Sequence, residues 1–193
     1  MLKWSLALCS CLAIFFTGCS KPNPDTASTP SQPTASASLG RTPDTPIDAC
    51  SLLTSEEIKQ VMGETVTEAK PQRQNEEGFV ISQCLFLLPE SKHSVTLRLV
   101  QRGEGADARD PRQVWQETFA RDLEKAIKER KKAPPERVPN VGDEAFWLGG
   151  PQTGGLYVLK GNRHFRLGFG GEPNQPLKIE KATKLAGSIL GRL

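Results

Sequence analysis

Five cysteines, at positions 9, 11, 19, 50 and 84, divide the chain into parts that cannot share one core. The first three lie in or directly after an amino-terminal apolar run, whereas Cys50 and Cys84 sit among residues patterned like a folded domain. Residues 1–18 have the three parts of an export signal. Lys3 supplies the positive start, Trp4 to Phe16 is mostly apolar with Ser5 and Ser10 interrupting it, and small residues lead into Cys19. The apolar stretch is shorter than the roughly 20 residues a membrane span needs. Cleavage at Ala35-Ser36-Ala37 has the small-x-small form, but that site lies far beyond the apolar run. An uncleaved anchor is the other alternative.

Phe16-Thr17-Gly18-Cys19 resembles the bacterial lipobox, with Phe16 standing where Leu is usual. The resemblance implies that Cys19 becomes the first residue of the mature chain and carries a diacylglyceryl group, with a further acyl chain on its amine. Anchoring by acyl chains is worth about 0.8 kcal/mol per buried methylene, and one chain holds a protein only marginally. Two or more make the membrane a durable partner. Ser20, in place of Asp, implies the outer membrane if the cell is Gram-negative. Otherwise the address is the outer face of the cytoplasmic membrane.

Residues 19–46 are rich in Pro, Ser, Thr and Ala. They cannot offset their ordering entropy by burial, so a disordered tether is expected. Its end-to-end distance would be about 25–30 Å. With Cys19 committed to lipid, two cysteines remain for the domain at 47–193. In an exported chain an even remainder reads as a disulfide, here Cys50 to Cys84. A redox-active pair would more usually be spaced Cys-x-x-Cys. The net charge of +3 is small and the charges are mixed along the chain, which does not indicate a nucleic-acid partner.

Within the domain, Thr54 and Glu57 have capping-box spacing, Leu53 and Ile58 staple spacing, and Gly63 suits a left-handed stop. They predict a helix over 55–62. Residues 66–69 read as a brief strand and 71–78 as a polar loop. Residues 79–88 are apolar at both parities and predict a strand covered on both faces. After a turn at 89–94, Val95, Leu97 and Leu99 alternate with Thr96 and Arg98, as a strand with one wetter face should. Asp110-Pro111 predicts a helix start, and the pattern of Trp115, Phe119, Leu123, Ala126 and Ile127 carries that helix to about Lys132. A turn at 140–143 leads into a strand through Phe146, Trp147 and Leu148. The glycines at 149–155 and 168–171 read as turns. Gly161-Asn162 predicts a hairpin between 156–159 and 164–169. A last helix starts at Pro176, with Leu177, Ala182, Leu185, Ala186, Ile189 and Leu190 as its apolar side. The expected fold is α+β, an antiparallel sheet of about six strands in the order αβββαβββα, with helices on both faces.

The motif Cys50-Ser51-Leu52-Leu53-Thr54, a second cysteine in a strand at Cys84, and Val141-Gly142-Asp143-Glu144-Ala145-Phe146-Trp147 occur here in that order. This arrangement resembles the small actinobacterial lipoprotein domains of unknown function that open with a Cys-Ser-Leu-Leu-Thr type motif. More loosely, the element order is similar to PsbP-like α/β/α sandwiches. The first resemblance implies a disulfide-stapled domain near the cell surface and supplies no catalytic residues; the second implies a largely non-catalytic binding or assembly domain.

Direct inspection of the residues nominates little chemistry. His93 and His164 have no second ligand at metal-type spacing, so no metal and no cofactor is expected. Asp143 and Glu144 are adjacent, and adjacent residues of a strand face opposite ways, which suits acid/base work on one substrate poorly. No Gly-x-Ser-x-Gly and no phosphate loop occurs. The expectation is a lipid-anchored, non-enzymatic binding or assembly module of the cell envelope, with an envelope protein, lipid or glycan as ligand. The rivals are an envelope enzyme with an unrecognised site, and a structural domain whose basic helix end at 128–132 docks on anionic polymer. Metabolic labelling with palmitate should mark the wild-type chain and fail to mark Cys19→Ala; equal label in both would end the lipid assignment.

Overall fold

The computed structural model describes residues 45–117, 119, 121, 134–150 and 154–193. The expected signal at 1–18, the expected lipidation residue Cys19, the expected tether up to Asp44, and the expected helical continuation with its basic end at 128–132 lie outside these. Seven antiparallel strands form one sheet in the order β1-β2-β3-β7-β6-β5-β4. They are β1 (Glu68–Glu76), β2 (Phe79–Leu87), β3 (Val95–Arg102), β4 (Glu136–Arg137), β5 (Glu144–Leu148), β6 (Gly155–Lys160) and β7 (Arg163–Phe169). The sheet is two meanders, β1 to β3 and β4 to β7, joined where β3 pairs with β7. The expected class is correct. The seventh strand is β4, whose two residues leave no periodic signal.

Helix α1 (Ser55–Met62) forms as its sequence predicts. Thr54 and Glu57 complete a reciprocal capping box, and Gly63 closes the helix at φ 82°. Helix α2 begins at Pro111 and is helical over 111–117, with Asp110 Oδ1 accepting from the amide of Arg112 at 2.9 Å. Helix α3 (Gln175–Leu190) is capped by Asn174, whose side chain accepts from the Leu177 amide. Its buried stripe is Lys178, Ala182, Leu185, Ala186 and Ile189. Leu177, expected on that stripe, is 40% exposed instead. The helical rotation carries residue 178 inward, so the Lys178 stem joins the core and its ammonium lies 5.8 Å from the Phe169 ring centre.

One face of the sheet carries the main core. There α1 packs on α3, α3 lies over β6 and β7, and the alternate residues Leu97, Leu99, Leu156, Val158, Phe165 and Leu167 are fully buried. The segment before α1 docks on the same face. Gln101 exchanges two hydrogen bonds with the Ile47 backbone at 2.9 Å, and Ser82 accepts from the Ala49 amide at 2.8 Å. Cys50 is bonded to Cys84 on β2.

Strand β1 corrects the sequence expectation at 66–78. The strand runs over Glu68–Glu76, and every residue in it is exposed. With neither face buried, it shows no alternation; its register on β2 defines it. Pro71 fits because an edge strand tolerates a missing donor. Glu77 and Gly78 close the hairpin, both at positive φ, as a two-residue I′ turn requires.

The disulfide closes a loop of 34 residues between its ends. The chain-entropy account then gives it about 4 kcal/mol of stability. Replacing both Cys50 and Cys84 by Ser should lower the unfolding free energy by roughly 3–4 kcal/mol in denaturant titration; a change within error would show that the bridge carries no stability.

Candidate functional site

The second face of the sheet is covered by the start of α2. The cover is held by the motif around Asp143. Gly142 lies at φ 60°, and a Cβ there would stand 2.5 Å from the Leu159 carbonyl oxygen, so the chain passes β6 where only glycine fits. Asp143 then accepts from the Gly161 amide at 2.9 Å and from the Arg112 guanidinium, and pairs with Lys160 at 3.5 Å. The Gly161 amide, reinforced by the two cations, holds its carboxyl below the usual range. Glu144 accepts from Trp115 Nε1 at 2.7 Å. Trp115 is 2% exposed, and its ring lies 5.7 Å from His164 and 6.2 Å from Phe146. Phe119 stacks on Phe146 at 4.9 Å. Both carboxylates are thus tied to α2, Asp143 through Arg112 and Glu144 through Trp115.

Beside α2 a pocket of about 250 Å³ opens between β2, β3, β6 and β7. Its apolar wall is Phe79, Ile81, Val100 and Val114, a cluster separate from the main core. Its polar wall is Arg98, Arg166, Tyr157 and His164, with Glu76 and Glu77 at the hairpin. Arg98 and Arg166 are direct cross-strand partners on β3 and β7. Arg98 stands 3.9 Å from Glu76, a long pairing between half-exposed groups and therefore weak. Arg166 has no carboxylate partner among the described residues; its guanidinium carbon lies 5.6 Å from the Tyr157 ring centre. It is seated by two paired glycines. A Cβ on Gly155 would come within 3.1 Å of Arg166 Nε, and one on Gly168 within 3.3 Å of Nη1.

Gly155, expected in a turn, opens β6, while Gly168 lies in β7 within the strand expected at 164–169. The sequence singled out neither arginine as a site residue. The signal for Arg98 is its place on the wetter face of β3, and Arg166 follows the same alternation between Phe165 and Leu167. Pairing the two requires knowledge that β3 meets β7.

His164 is where the hairpin was expected, but its ring is packed under Trp115 rather than solvated. Burial pushes its pKa down to about 4, against a hydrogen bond to the Pro111 carbonyl that favours the charged form, and with help from the nearby Arg98 charge. Its Nδ1 is buried and has no hydrogen-bond partner among the described residues. His93 lies apart from this pocket, between Glu64 and Glu90 on the loop after β2. Among the described residues no three of His, Cys, Asp and Glu converge so as to hold a metal ion, and no helix is long and apolar enough to cross a membrane. No family model, curated protein or solved structure matches this chain.

The depressed value of His164 makes stability pH-dependent. The folded state takes its proton at about 4 and the unfolded chain near 6.5. The stabilisation is therefore present above about 6.5 and lost as pH falls toward 4, by up to about 3 kcal/mol. Against wild type, His164→Phe should lose less stability between pH 7 and pH 4.5 in urea titrations; parallel curves would refute the assignment.

Proposed function

We propose that the chain is a lipid-anchored lipoprotein of the cell envelope, of the Cys-Ser-Leu-Leu-Thr type, whose domain binds a ligand or partner and carries out no chemistry on it. The disulfide suits an oxidising compartment outside the cytosol. The α+β sandwich-like layering, with helices on both faces of one sheet, suits a rigid scaffold presenting a site. The observation that carries the reading is the make-up of the pocket. Its polar groups suit recognition, with two arginines and a tyrosine beside an apolar wall of Phe79, Ile81, Val100 and Val114.

The second reading is an envelope enzyme, and His164 is the observation that favours it. A neutral imidazole with an unpartnered nitrogen beside a pocket is a form that general bases take. Against this, the ring lies packed under Trp115 and is committed to the Pro111 carbonyl. Its geometry accords better with a packed core histidine.

Crosslinking in intact envelopes, followed by affinity recovery of the tagged full chain, should repeatedly return the same protein, lipid or glycan. Recovery of no specific species in repeated trials would overturn the binding-module reading.

A further inference from the structure

Arg98 and Arg166 face each other directly across β3 and β7 on the second face of the sheet. Opposite residues of an antiparallel pair have Cβ atoms about 4.5–5.5 Å apart, and like charges placed so are destabilising. The free protein relieves this only in part: Glu76 reaches Arg98 at 3.9 Å, while Arg166 meets no carboxylate among the described residues. Solvation alone would let Arg166 extend into water. It lies instead along the sheet, over the Gly155–Gly168 pair and beside the Tyr157 ring. A guanidinium held by its flanks keeps its N–H edge available and loses little further entropy on binding.

The neighbourhood defines what that edge can receive. The pocket continues from the arginines onto Ile81, Val100, Phe79 and Val114, with Glu76 and Glu77 at its hairpin rim, where Glu77 pairs with Arg109 at 3.5 Å and Glu76 is drawn to Arg98, so a bound molecule meets the Arg166 cation beside Arg98 at one end and an apolar wall at the other. Its volume of about 250 Å³ lies just under the roughly 300–1,000 Å³ of drug-sized ligand sites. Building on the binding-module reading, we infer that this pocket takes a small organic anion, a phosphate or carboxylate head joined to a short apolar body. The head bridges Arg98 and Arg166, and the body lies on the Ile81–Val100 wall. Arginine is suited to this because its fork matches both oxyanions in two-pronged fashion.

The test uses the full chain carrying Cys19→Ala, so that no lipid is attached, with phenyl phosphate, inorganic phosphate and phenol as probes in calorimetric titrations at low salt. Phenyl phosphate should bind at least about tenfold more tightly than either inorganic phosphate or phenol. Arg166→Ala should weaken it by at least about tenfold, Arg166→Lys by less, and Arg73→Ala, on the exposed strand β1, not at all. Gly168→Val should weaken binding with both arginines present, since the atoms nearest to a Cβ there belong to Arg166. Thermal unfolding of each variant confirms that it is folded. Inorganic phosphate or phenol binding as well as phenyl phosphate would overturn the inference, and so would phenyl phosphate binding indifferent to Arg166→Ala. Absence of phenyl phosphate binding, with crosslinked recovery of an envelope partner unchanged in Arg166→Ala, would overturn this inference and leave the binding-module reading standing.

Discussion

The pairing of β3 with β7 is the interaction on which both halves of the structure depend. Each meander alone has its own edges and only part of a core. Joined through the register from Val95–Phe169 to Val100–His164, they make one sheet wide enough to carry α3 and the amino-terminal segment on one face and α2 on the other. The contact is long-range, so its ordering cost is large and must be offset by burial rather than by a turn. Leu97, Leu99, Phe165 and Leu167, all fully buried at this seam, supply that burial. The same register sets Arg98 beside Arg166, so the join that completes the core also assembles the polar wall of the pocket.

The motif from Val141 to Trp147 shows how a distinctive run of residues can be architectural from end to end. Val141, Ala145 and Trp147 enter the main core, while Gly142 grants passage past Leu159. Asp143 binds α2 through Arg112 and the β6–β7 hairpin through the Gly161 amide, and Glu144 binds α2 through the Trp115 indole. Phe146 provides the platform for Phe119. A charged pair that invites a catalytic reading is consumed in fastening a helix to a sheet. The opposed directions of adjacent strand residues do not decide this, because Asp143 precedes β5 and only Glu144 belongs to it.

Elements with strong local signals were legible in the sequence. The capping box of α1, the Gly161-Asn162 hairpin and the alternation along β3 each state their structure within a few residues, and the two cysteines left to the domain do form the bridge. Strand β1 was not legible, since an exposed edge strand has no buried face to impose a period. Nor was the strand position of Gly155, because glycine's usual association with turns gives way here to the space a neighbouring guanidinium needs. Leu177 left the buried stripe it was expected on because one step of helical phase brings Lys178 inward, where its aliphatic stem fills the gap. The pocket was illegible for a simpler reason: its arginines stand 68 positions apart in the chain, and only tertiary pairing makes them neighbours.

The way the amino-terminal segment is fastened has a mechanical consequence. Tension applied to the chain ahead of Ile47 meets first the Gln101 and Ser82 hydrogen bonds and then the covalent link from Cys50 to Cys84. There the force leaves the main chain, crosses sulfur to sulfur, and enters β2 in the interior of the sheet. Helix α1 and strand β1, which lie between the two cysteines in sequence, are bypassed and carry no load.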